Sequence, residues 1–219
     1  MMGEKNNARG KTILISKEIF CHEQYDRLLA KLAGVNSQAS NTLLTYDYFT
    51  NRFSNIATIS RDDLLYAIHV AYSWMPTMLH LFQIAEIANL EPLIPAINSL
   101  REIKTYDQLN ALEDEAREQF TALSRVINNS AVGTSKVLHF FCPETIPIID
   151  SRVVFAWNRF FSYYPAVILA GCKPVISPAK YLDYWKALLF WKEQAGLSSI
   201  RQLENPLFIL GGSDPQAIP

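Results

Sequence analysis

Two short stretches hold the residues whose types and spacing could do chemistry: Ser130-Ala131-Val132-Gly133-Thr134-Ser135-Lys136, and Ile146-Pro147-Ile148-Ile149-Asp150-Ser151-Arg152-Val153. The first lies between two helical patterns and reads as a tight hairpin whose second helix begins just beyond Gly133. The first backbone N–H groups of a helix have no intrahelical acceptor, and the helix dipole adds partial positive charge there, so such a start can grip a DNA phosphate. Val132, Gly133, Thr134 and Ser135 would supply that grip, with Lys136 and Arg152 as cationic neighbours. Asp150 follows the hairpin glycine by seventeen residues and opens the next helix, which keeps a carboxylate near the same region. Asp150 is equally suited to be an N-cap with a hydrophobic staple between Ile149 and Val154, worth about 1 kcal/mol without any catalysis. Lys136 is expected to be solvent-accessible, as a phosphate contact or a solvated lysine. His139, flanked by Leu138 and Phe140, is either a hydrogen-bonded core histidine or a group that meets a base edge.

The order of hairpin, short helix, loop and aspartate resembles the helix-hairpin-helix superfamily of DNA glycosylases, in which an LPGVG-like hairpin precedes an aspartate in a V-D-x-x-V setting. Here the hairpin reads Asn129-Ser130-Ala131-Val132-Gly133 and the aspartate context Ile149-Asp150-Ser151-Arg152-Val153, so the likeness spans about 25 residues. Ala131 stands where the pattern has its first hairpin glycine. Ser135 holds the position at which bifunctional members carry a Schiff-base lysine, and Lys136 comes one residue, or 100° of helix, later. The resemblance therefore implies the monofunctional chemistry: a base flipped out of the duplex, stacked on aromatic rings, and cut from a sugar whose developing positive charge is stabilised by Asp150. Trp157 and His139 are the base-pocket residues it implies, DNA is the partner, and neither metal nor cofactor is needed. The alternative is a non-catalytic helical protein that uses the hairpin scaffold to bind nucleic acid or a protein partner.

Other chemistries lack their residues. GxxxxGKS/T, GxGxxG and HExxH are absent, which sets aside nucleotide hydrolases and zincins. His69 and His80 lie eleven residues apart with Pro76 between them and no acidic ligand beside them, so no metal is expected there.

The elements that must position these residues read as helices. Lys17 to Leu32 is amphipathic after Ser16, Asn41 to Phe53 is an aromatic helix, and Ser60 with Asp63 starts an apolar one at Arg61. Thr105 with Gln108 is a capping box for a helix that runs to Ile127 and ends near Asn128-Asn129-Ser130. Ser135 to Phe141 forms the next, stopped by Pro143. Asp150 caps Ser151 to Phe161, and Ser177-Pro178 starts a helix to Gln194 ended by Gly196. Ser198 to Leu203 reads as a short turn, and Gly211 to Pro219 as a loose tail. The expectation is an all-α, compact bundle of about eight to ten helices in one domain over 12–210, with two lobes as the alternative.

Composition bounds the rest. Of 219 residues, 49% are hydrophobic and 19% charged, a balance that excludes disorder of the whole chain. The 8 Gly and 11 Pro supply too few turns for a sandwich or barrel. Net charge is −1, which offers no overall attraction to nucleic acid, but Gly133 to Arg201 carries 8 basic and 4 acidic residues, so that half can face an anion. Three widely spaced cysteines suit no disulfide framework and point to a reducing, cytoplasmic setting. Met1 to Lys11 reads as a frayed basic tail. Leu64 to Ala85 has 22 residues free of Asp, Glu, Lys and Arg, but Pro76 and its histidines favour two buried helices over a membrane span.

Overall fold

Helix starts follow the capping residues. In the computed structural model, which describes residues 12–35, 40–75, 90–169 and 176–212 with the side chains of 40–44 excepted, Ser60 Oγ accepts the Asp63 N–H at 3.1 Å and the Asp63 carboxylate accepts the Ser60 N–H at 3.1 Å. Thr105 and Gln108 make the same reciprocal pair, and Ser177 caps a helix with Pro178 at its first position. Each such cap is worth about 1 kcal/mol.

The helices are α1 (His22–Ala33), α2 (Ser40–Ser54), α3 (Arg61–Ser73), α4 (Ile94–Arg101), α5 (Tyr106–Ala111), α6 (Glu113–Val126), α7 (Ala131–Phe141), α8 (Ser151–Phe160), α9 (Pro178–Gln194) and α10 (Arg201–Gly212), with 3-10 turns at Glu91–Leu93 and Pro165–Val167. The fold is all-α, and no strand occurs among the described residues. Buried side chains from Ile13 to Leu210 form one connected apolar core, whose largest members are Trp157, Trp185, Trp191, Tyr181 and Tyr184. The central helix is α7, buried at every position from Gly133 to Phe141 and packed against α2, α3 and α6. No helix among the described residues is long and apolar enough to cross a membrane.

Four expectations need correction. The first helix starts at His22 rather than Lys17, because Phe20 turns fully into an aromatic cluster with Trp157, Phe161 and Trp191, and the chain leaves it in extended form at Cys21. The long helix from Thr105 breaks at the half-exposed Leu112, and α6 restarts with Glu113, Asp114 and Glu115 at its positive end, where acids are favoured. The hairpin is one turn earlier than its glycine suggests. Asn128 and Asn129 take left-handed φ of 56° and 50°, a conformation asparagine tolerates, and Ser130 caps α7 by accepting the Gly133 N–H at 3.0 Å. Gly133 therefore sits inside the first helical turn.

The fourth correction is α10, which replaces the expected short turn and includes Gly211 and Gly212 of the expected tail. Pro206, which removes a helical N–H, hides it from a pattern search. It lies along α8 because Gly211 has no side chain: a Cβ there would stand 2.0 Å from the Arg152 carbonyl oxygen. The N-terminal tail, 213–219, Pro76 with the chain to 85, and His80 lie outside the described residues.

Candidate functional site

Between α7 and α8 the chain leaves helical structure, yet Thr145 to Ile149 are buried. An irregular buried segment must find partners for each backbone donor and acceptor, or lose the free energy of an unpaired polar group. Here side chains supply them. Trp185 Nε1–H donates to the Thr145 carbonyl at 2.5 Å, His139 Nδ1 bonds the Ile146 carbonyl at 2.5 Å, and the Tyr181 and Tyr184 hydroxyls donate to the Pro147 and Ile148 carbonyls at 3.0 and 3.4 Å. The Ile148 N–H donates to Glu204 at 3.1 Å and the Ile149 N–H to Ser135 Oγ at 3.2 Å. Thr145 and Ile146 donate to the Cys142 carbonyl, and Pro147 has no N–H. Every backbone polar group from Thr145 to Ile148 is thus engaged.

A second tier holds the holders. A carbonyl only accepts, so His139 carries its proton on Nδ1, and Nε2 accepts the Tyr46 hydroxyl at 2.6 Å. Burial pushes the imidazole pKa down, against the pull of nearby Glu204, which keeps His139 neutral. Burial also holds the Tyr46, Tyr181 and Tyr184 phenols well above their ordinary range, so they remain O–H donors. Glu204 is 1% exposed; it accepts Arg201 Nη1 at 2.8 Å and lies 3.6 Å from His139 Nδ1. The Arg201 guanidinium in turn stacks 3.9 Å above the Tyr46 ring.

This framework delivers Asp150 half-buried at the start of α8, where Oδ1 accepts the Val153 N–H at 3.0 Å. Its other oxygen has no hydrogen-bond partner among the described residues. Comparison with models of known protein families, with curated proteins and with solved structures gives no match. What the site can do is therefore read from its own residues.

Those residues do not sit as the sequence suggests. Lys136 is 8% exposed rather than solvent-accessible, because all of α7 from Gly133 onward is interior. It makes no hydrogen bond or ion pair among the described residues. Burial pushes its pKa down, with Arg152 adding to the effect and Asp150 and Glu204 opposing it. Thr134 and Ser135 are fully buried, with hydroxyls donated to the Ser130 and Val132 carbonyls. Gly133 faces Tyr72 of α3, whose hydroxyl would be 2.9 Å from an added Cβ. Gly133 is thus covered by Tyr72, and the buried Thr134 and Ser135 offer no phosphate contact. Val132 is half-buried, and Arg152 is the exposed member of the set, lying over the Phe208 ring.

The base-pocket expectation is corrected too. Trp157 is wholly buried, donates Nε1–H to the Val167 carbonyl at 2.8 Å, and packs on Phe20, Phe161 and Tyr184 as core. His139 has both ring nitrogens engaged. Among the described residues, no three His, Cys, Asp or Glu are grouped to hold a metal. Glu204, Arg201, Tyr46, Tyr181 and Tyr184 were missed by sequence reasoning. One signal was legible for Glu204: it stands four residues after Ile200 within the apolar run Ile200, Leu203, Leu207, Leu210.

Proposed function

We propose that the chain is a monofunctional DNA N-glycosylase-like protein, in which Asp150 stabilises the positive charge that develops on a sugar as a flipped, modified or damaged base departs. The observation that carries this reading is the side-chain framework around 145–149, which ends on a carboxylate with one oxygen uncommitted among the described residues. Ser135 stands where a Schiff-base lysine would be needed and bonds the Ile149 N–H, so no amine is offered at that position. Arg152, exposed two residues from Asp150, is the phosphate contact this reading retains.

A second reading, a non-catalytic scaffold that binds nucleic acid or a protein, draws support from Trp157 in the core, where it cannot stack on a flipped base. One assay separates them. Duplexes carrying a panel of damaged and modified bases are incubated with the protein and probed for abasic sites. The glycosylase reading expects abasic sites on at least one duplex; none on any member, with retained duplex binding, favours the scaffold.

A further inference from the structure

We propose that Glu204 of α10 is a positioning residue for Asp150: α10 grips the chain on both sides of that aspartate, before it through Glu204 on the Ile148 N–H and after it through Gly211 against the Arg152 carbonyl. The proposal rests on the reading of Asp150 as the working carboxylate.

Among the six side chains that hold 145–149, Glu204 and Ser135 accept from backbone N–H groups, and Glu204 is the one that carries charge. A bond to a charged acceptor is generally stronger than a neutral one. Replacing a buried ion pair by apolar groups is often neutral or stabilising, so the Glu204–Arg201 pair, at 1% and 21% side-chain exposure, is read for the geometry it sets rather than for net stability. Ile148 is two residues from Asp150, a span of about 7 Å of extended chain, with Ser135 on the Ile149 N–H as a further side-chain hold between them, so slack at Ile148 is felt at the aspartate. The second grip is rigid, since the contact at Gly211 is backbone against backbone.

The test compares Glu204→Ala, which deletes the acceptor, with Glu204→Gln, whose side-chain oxygen still accepts the Ile148 N–H. Amide hydrogen exchange of Ile148 and Ile149 is measured by NMR against Leu188 and Leu189 of α9. Glu204→Ala is expected to speed exchange at Ile148 and Ile149 by about 10-fold relative to α9, with Glu204→Gln returning it to within about 3-fold of wild type. Single-turnover excision on a confirmed substrate falls by about 10-fold in the alanine variant, with duplex Kd within about 2-fold, and recovers in the glutamine variant. Uniform acceleration across α9 as well, or unchanged exchange at Ile148, overturns the proposal. So does excision that is unaffected when exchange is. If wild type excises nothing, the reading of Asp150 fails while the exchange pattern still decides whether Glu204 fixes the segment. Should Glu204→Ala not fold, the double variant Glu204→Met with Arg201→Met, which replaces the ion pair by apolar side chains and removes the acceptor, is read in the same way, and unchanged exchange at Ile148 in that variant also overturns the proposal.

Discussion

Asp150→Asn is expected to reduce base excision by about 100-fold or more while leaving the melting temperature within a few degrees of wild type. The reason lies in the two oxygens. Oδ1 accepts the Val153 N–H at 3.0 Å, and an asparagine oxygen can take that bond over, so α8 keeps its cap. The other oxygen becomes an amide nitrogen, and the negative charge that the proposed function sets against the sugar cation disappears. Asp150→Ala removes both, and is expected to cost about 1 kcal/mol of stability and roughly 2–4 °C in Tm besides the activity. If Asp150 were only a cap, asparagine would leave excision and melting alike unchanged. Excision at near wild-type rate in Asp150→Asn, on a confirmed substrate, would remove the residue from the mechanism.

The largest stability effect is expected from a single methyl group. In Gly211→Ala the new Cβ would lie 2.0 Å from the Arg152 carbonyl oxygen and 2.5 Å from its carbonyl carbon. Neither atom can rotate away as a side chain could, so α10 must lift from α8. Overpacked cores usually lose about 1–3 kcal/mol, and a backbone obstacle places this change at about 3 kcal/mol, or a Tm lower by roughly 6–12 °C. Gly212→Ala is the control, because its Cβ would meet the flexible Arg152 side chain at 3.5 Å; it should stay within about 0.5 kcal/mol of wild type. Thermal melts of the two variants decide the matter. Gly211→Ala melting like Gly212→Ala would mean that α10 is not seated on α8.

Local chemistry made much of the fold legible. The Ser60, Thr105, Asp150 and Ser177 caps each act within three residues along the chain, and each helix starts where its cap predicts. Errors arose where a distant partner decides. Phe20 leaves the helical register for rings brought from α8 and α9, and α10 forms through Pro206 because α8 receives it. The support of 145–149 was the least legible part, since its six side chains come from α7, α9 and α10 and read in sequence as core aromatics, a serine, a histidine and a late acid. Lys136 shows the converse. As a lysine two residues after a hairpin threonine it reads as surface, and only the depth of α7 buries it.

The central claim, that Asp150 meets a cationic sugar, is tested most directly without knowing the base. Two duplexes are compared, one with a protonated pyrrolidine in place of a deoxyribose and one with a neutral tetrahydrofuran, because a site built for a transition state binds its charge mimic more tightly than an uncharged isostere. Wild type is expected to prefer the cationic duplex by about 10-fold or more in Kd, and Asp150→Asn to bind both alike. Equal binding of the two duplexes by wild type, or a preference that survives Asp150→Asn, would contradict the account.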